Sequence, residues 1–246
     1  MTDSASIDLE RHKRHILLKE IGGPGVQKLN RASVSIVGAG ALGGPCALYL
    51  AAAGVGQIEI VDDDAVDLSN LQRQVQYSET DIGASKAETL AAKLSRLNSD
   101  LSISVRPTRF ALDKELSGDI LIDATDNFES RFALNRLAHT SGRMLVSGAA
   151  SRWAGQVSVF ASGIQAGMPC YQCFVPETPP EAASCDEIGV VGAVTGIVGT
   201  RMALETAKII IRAGHTLTGK LWLFDGLDGT SRTVALNRDP DCQTCG

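Results

Sequence analysis

Between Ser33 and Val146, short β-branched apolar runs alternate with longer stretches whose apolar residues recur every three or four positions. Ser33–Gly38 (SVSIVG) has the pattern of a buried strand ending in glycine. Ala41–Ala53 follows as a small-residue helix closed by Gly54, and Gln57–Asp62 (QIEIVD) is the next strand. Ser85 and Glu88 have capping-box spacing and open a helix over Ser85–Asn98, with a predicted apolar face that includes Leu90, Leu94 and Leu97. Leu101–Val105 and Asp119–Ala124 read as strands, Phe128–His139 as a helix, and Met144–Val146 as the start of another strand. Alternation at this spacing predicts an α/β fold: a Rossmann-like, mostly parallel sheet with helices on both faces.

After Gly148 the rhythm changes. Gln156–Phe160, Lys220–Phe224 and Thr233–Leu236 read as strands that extend the same sheet in antiparallel fashion, with one long helix at about Val194–Arg212 between them. Gly192, Gly196 and Gly199 stand at the start of that helix, where small residues permit close packing. Leu9–Asn30 is a helical arm, interrupted at Gly22–Gly25. No flexible linker divides the chain. The expected organisation is a single domain over 1–246, with an arm at 9–30, a nucleotide-binding part at 31–165 and a third part at 166–246.

Composition narrows the function. Of 246 residues, 23 are Lys or Arg and 28 are Asp or Glu, for a net charge of −5, which argues against non-specific binding to nucleic acid or an anionic membrane. The acidic first residues lack the apolar run of a secretory signal, and Ile188–Thr200 is too short to span a bilayer, so the chain reads as cytoplasmic. Six cysteines in a reducing compartment point to ligands or nucleophiles rather than disulfides.

Gly38-Ala39-Gly40-Ala41-Leu42-Gly43 is G-x-G-x-x-G between strand and helix, a turn that brings backbone amides close to phosphate. Asp62, at the end of the second strand, is placed to accept from a ribose. Alone, this pattern favours NAD. The segment that follows argues for a nucleoside triphosphate instead, because Ser69-Asn70-Leu71-Gln72-Arg73 and Lys86 gather amide and cationic groups beyond the sheet edge. Arg73 and Lys86 suit phosphates, and Asp126, followed by Asn127, suits Mg²⁺. An NAD-dependent oxidoreductase and a non-catalytic nucleotide-binding scaffold remain the rivals.

Cys170-x-x-Cys173 and Cys242-x-x-Cys245 form two thiolate clips, and together they predict a tetrahedral structural Zn²⁺ site. Such a site would staple the C-terminal end to a distant loop. Cys46 reads as core packing, and Trp153 and Trp222 as structural.

Taken together, Arg11-His12-Lys13-Arg14-His15-Ile16-Leu17-Leu18, the glycine turn, Ser69 to Gln74, Lys86, Thr125-Asp126-Asn127, Ser147-Gly148-Ala149 and the two cysteine pairs resemble the ThiF/MoeB/HesA family, in the family's order. The resemblance implies MgATP-dependent adenylation of the C-terminal glycine of a ubiquitin-like sulfur-carrier protein. It implies ATP and Mg²⁺ held around Gly38, Gly40, Ala41, Asp62, Ser69 to Arg73, Lys86, Asp126 and Asn127. Position 41, glycine in many relatives, is alanine here, which leaves a backbone contact possible. The resemblance further implies a homodimer in which Arg14 reaches the partner's site, and a carrier that docks on the 166–246 part. Cys185 stands where some members carry a nucleophile, although the adjacent Asp186 and Glu187 disfavour its thiolate. Ser147-Gly148-Ala149-Ala150 leans toward a MoaD-like carrier for molybdopterin synthesis, and Phe224-Asp225-Gly226 with the Pro176–Pro180 insert toward a ThiS-like carrier for thiamine. With no sulfurtransferase-like segment after Gly246, the expectation is a separate sulfur donor.

Overall fold

The computed structural model describes residues 8–111, 115–178 and 189–246; Cys185 lies outside them. Its centre is an eight-stranded sheet in the order β3-β2-β1-β4-β5-β6-β7-β8. β1 (Ser33–Val37), β2 (Gln57–Val61), β3 (Ser102–Arg106), β4 (Ile120–Asp123) and β5 (Met144–Ser151) pair in parallel. β6 (Ala154–Phe160), β7 (Lys220–Asp225) and β8 (Thr230–Ala235) continue it antiparallel. The chain crosses from β3 at one edge to β4 beside β1, so the connections that leave the paired carboxyl ends of β1 and β4 run to opposite faces of the sheet and open a crevice between them.

α3 (Gly43–Ala53), α4 (Lys86–Leu97) and α7 (Gly192–Ile211) join one core cluster, built on Ile36, Ile58, Leu90, Val146 and Met202. α5 (Phe128–Thr140) and the short α6 (Tyr171–Phe174) cover the other face through Leu121, Leu134, Leu145 and Tyr171. Ser85 caps α4, its Oγ accepting the Glu88 amide at 3.3 Å. The buried face of α4 runs through Ala87, Leu90, Ala91 and Leu94, while Leu97, the last residue of the helix, is 39% exposed.

The arm differs from expectation. It forms α1 (Lys13–Ile16) and α2 (Gly22–Arg31), and the glycines lie inside α2 rather than breaking a helix. Pro24 falls in the first turn, where a missing N–H costs nothing. Gly25 is buried, and a Cβ there would come within 2.8 Å of Ile21 Cγ2. In α7, Gly192 and Gly199 serve close packing, since a Cβ would lie 2.4 Å from Gln72 O and 2.5 Å from Leu42 O respectively; Gly196 faces open space. β8 starts at Thr230, three residues earlier than its pattern predicts, because all six of its residues are exposed and no buried face marks its start. Cys46 is fully buried in α3. No described helix is long and apolar enough to cross a membrane.

Candidate active site

The crevice holds a cleft of ≈ 260 Å³ at the carboxyl ends of β1, β2 and β4. Its floor is the glycine turn. Gly38 has φ +98°, and a Cβ there would lie 2.4 Å from Ala124 O, so only glycine fits. At Gly43 a Cβ would come within 1.8 Å of Gly38 O, so the turn closes onto the helix only without a side chain.

Asp62 sits beside this turn. Its Oδ2 accepts the Ala39 amide at 2.6 Å and its Oδ1 accepts the Asp64 amide at 2.9 Å. Burial pushes its carboxyl up, and the two amides partly offset that push. Lys86, the first residue of α4, is only 5% exposed, and its Nζ meets Asp64 Oδ2 at 2.8 Å. A buried ammonium whose partner is mostly in solvent is a poor stability device. As a fixed cation on a cleft wall it makes sense.

Arg73 reaches the cleft from the turn formed by Leu68–Asn70, donating through Nη1 to Ser69 O at 3.2 Å. Asp67 braces that turn, accepting from Ser69 N at 2.8 Å and Ser69 Oγ at 2.6 Å. Across the cleft, Asp126 follows β4 with an exposed carboxylate that, among the described residues, accepts only from Asn127 Nδ2, at 3.3 Å. Asn127 caps α5 by accepting the Ser130 amide at 2.9 Å.

Gly38, Gly40, Ala41, Asp62, Arg73, Lys86, Asp126 and Asn127 all line the cleft. Ser69, Asn70, Leu71 and Gln72 do not; they build the turn that delivers Arg73. Arg14 is exposed on α1, away from this chain's cleft. Its neighbour His12 packs on Gly54 at the far end of α3, where a Cβ would lie 2.4 Å from His12 Cε1, and Arg11 Nη1 donates to Leu97 O at the far end of α4. Both helices start at the cleft, so Arg14 is about 16 Å of helix away from it.

Sequence reasoning missed Arg131, which is buried on α5. Its Nη2 donates to Thr125 O at 2.6 Å and Gly148 O at 3.1 Å, while Nη1 lies 3.9 Å from the buried Asp123 carboxylate. These contacts fix the backbone just before Asp126. The one available signal was an arginine on the inward face of a helix. Gln74, the last residue of the Ser69 to Gln74 run, lines the cleft as well, as do Arg109 and Phe110, which the sequence did not single out.

On the α5 side of the sheet, the Sγ atoms of Cys170, Cys173, Cys242 and Cys245 all lie within 4.8 Å of one another. Cys170–Cys242 is 3.5 Å, Cys173–Cys245 is 3.4 Å and Cys170–Cys173 is 3.9 Å. These separations are too long for disulfides. They bracket the spacing of about 3.8 Å expected for thiolates about 2.3 Å from a tetrahedral zinc. Asn135 Nδ2 donates to Cys170 Sγ at 3.4 Å, and Asn135 Oδ1 accepts the Tyr171 amide at 2.8 Å, orienting the first clip. The donor set, four thiols with no open position, fits a closed, structural metal site.

Known proteins resemble the chain over nearly its whole length. The chain is 40% identical to the sulfur carrier protein adenylyltransferase of Thermus thermophilus, over 97% of this chain and 91% of that one. It is 42% identical to the adenylyltransferase and sulfurtransferase MOCS3 of Aedes aegypti, covering 97% of this chain but spanning only 55% of the relative's length. The solved structure of E. coli MccB shares the fold, with a TM-score of 0.84 at 20% identity over 98% of this chain and 74% of that one. With the family model described as ThiF family matching residues 12–244, almost the whole length over which the sheet, cleft and cysteine cluster are built, this chain belongs to the ThiF family.

Proposed function

We propose that the chain binds MgATP in the cleft and joins AMP to the C-terminal glycine of a ubiquitin-like sulfur-carrier protein, releasing pyrophosphate. The observation that carries this reading is Lys86, a buried cation held on the cleft wall opposite the exposed carboxylate of Asp126. The names of the relatives support the choice of carrier class.

The chemistry follows from charge. A carrier carboxylate oxygen bonds to the α-phosphorus as the bond to the pyrophosphate oxygen breaks, and pyrophosphate departs as the leaving group. Two anions must approach, so Arg73 and Lys86 supply fixed positive charge where it is needed. The backbone of Gly38, Gly40 and Ala41 cradles phosphate, Asp62 takes the ribose, and Ser69, Asn70, Leu71 and Gln72 hold Arg73 in place. Asp126, with Asn127 beside it, fits an oxygen-preferring cation, and Mg²⁺ bound there neutralises phosphate charge. No general base is required, because a carboxylate is already ionised near neutral pH.

Arg14 completes the site of a second copy, in a homodimer that works in the cytoplasm. Zn²⁺ occupies the four-cysteine site, and a separate protein donates sulfur. The carrier is MoaD-like or ThiS-like. Ser147 and Gly148, from which the lean toward MoaD came, have structural work of their own: Ser147 Oγ bonds Asp123 Oδ2 at 2.6 Å, and a Cβ at Gly148 would lie 2.4 Å from Met202 Sδ.

The test is exchange of labelled pyrophosphate into ATP with a MoaD-like or a ThiS-like carrier. Exchange should require the carrier, and Arg73→Ala and Asp126→Ala should each abolish it. Mixing Arg14→Ala with Arg73→Ala should restore about a quarter of wild-type exchange in a randomly assorted dimer. Unimpaired exchange in Arg73→Ala would remove that residue from the reaction, and faster exchange with one of the two would assign the carrier.

A further inference from the structure

The glycine turn is held from behind by two side chains that the reaction outlined above does not use. Gln76 is 5% exposed, and its Nε2 lies 3.0 Å from both Ala39 O and Gly40 O. Tyr77, 6% exposed, places its hydroxyl 2.8 Å from Ala39 O and 3.0 Å from Lys86 O, between the turn and the first residue of α4. Lys93 on α4 props this segment, donating to Gln76 O and to Asp81 Oδ2 (2.6 Å) with its ammonium 5.5 Å from the Tyr77 ring centre.

The carbonyl contacts dictate where the amides point. In a trans peptide the C=O and N–H vectors are opposed, and no peptide in the described chain is cis. With Ala39 O held by Gln76 and Tyr77, and Gly40 O held by Gln76 and by the Gly44 amide at 3.0 Å, the Gly40 and Ala41 amides face the other way, toward the cleft these residues line. Among the described residues, neither amide has a partner. The Ala39 amide, by contrast, is occupied by Asp62.

We propose that Gln76 is a positioning residue that aims the Gly40 and Ala41 amides at the nucleotide's phosphates, with Tyr77 tying the same turn to the backbone of Lys86. The inference rests on the reading of the cleft as an ATP site. Two further features fit it. A Cβ at Gly44 would lie 2.2 Å from Gln76 Cδ, so the helix start leaves room for this one amide. Gln76 Oε1 is buried without a partner, a cost that an apolar residue used only for packing would avoid.

The test is nucleotide binding by the full chain, measured for ATP by calorimetry and for adenosine by competition. Gln76→Leu keeps the size and removes the donor. It should weaken ATP binding about tenfold and leave adenosine binding unchanged, because only the phosphates meet the two amides. Gln76→Met gives the same readout if a branched side chain disturbs Gly44. Tyr77→Phe, which keeps the ring over Lys93, should weaken ATP by less than Gln76→Leu does. Unchanged ATP affinity in folded Gln76→Leu and Gln76→Met overturns the proposal, as does an equal loss for ATP and adenosine. A wild-type chain that fails to bind ATP overturns the ATP reading itself, whereas wild-type binding with indifferent Gln76 variants overturns only this inference.

Discussion

Replacing Lys86 with methionine separates the catalytic use of its charge from any structural use. Methionine keeps most of the buried stem and removes only the ammonium. The side chain of its partner Asp64 is 60% exposed, so the lost ion pair contributes about 0–1 kcal/mol to stability, and the burial cost of the charge disappears with it. For a chain of this length, the melting temperature should move by no more than about 4 °C. Activity should respond very differently. Unit charges about 4 Å apart at an effective dielectric near 20 interact by about 4 kcal/mol, close to a thousandfold in rate. Part of that interaction is also made in the ground state, so carrier-dependent pyrophosphate exchange should fall roughly 10²–10³-fold. Exchange within a factor of about three of wild type, in a folded variant, would refute the assignment of Lys86 as a phosphate cation.

Two further outcomes follow from the strut and the cysteine site. Hydrogen bonds from Lys93 and Ser78 hold the Asp81 carboxyl down at about 2, below its ordinary 3.8. The folded chain thus binds this proton more weakly than the unfolded one, and the stability it contributes is present above about pH 4 and lost as pH falls toward 2. Melting temperatures of Asp81→Asn should therefore lie below wild type at pH 5 and converge with it near pH 2; parallel curves would contradict the pairing. Elemental analysis should find one zinc per chain, and Cys242→Ser should lose it and melt several degrees lower, whereas a metal-free wild type of equal stability would remove the zinc.

Much of the fold was legible because β1, β2 and β4 are short segments rich in Val and Ile, bounded by glycine or aspartate; the polar Ser35 and Glu59 inside them are buried and bonded to each other at 2.5 Å. The cleft was legible where chemistry is tied to local sequence: the glycine turn, Asp62 at a strand end, and cations clustered after it. Burial of Lys86 was not legible, because a lysine at the first position of a helix is usually solvated. Arg131 and Gln76 escaped for a related reason. Their value comes from carbonyls 6 to 37 residues away, which only the folded chain brings near. The Gly22–Gly25 segment misled because glycine and proline break a helix interior but are tolerated in a first turn, and the pattern alone did not set where that turn began. β8 lacked the alternation that a buried face imprints on a strand.

The proposed reaction requires a triphosphate seated between Lys86 and Arg73 on one wall of the cleft and Asp126 on the other. A crystal structure with a non-hydrolysable ATP analogue and Mg²⁺ tests it most directly. Phosphate oxygens should lie within hydrogen-bond reach of Lys86, Arg73 and the Gly40 and Ala41 amides, with the metal on Asp126. A nucleotide bound with its phosphates turned away from those groups would contradict the proposed reaction.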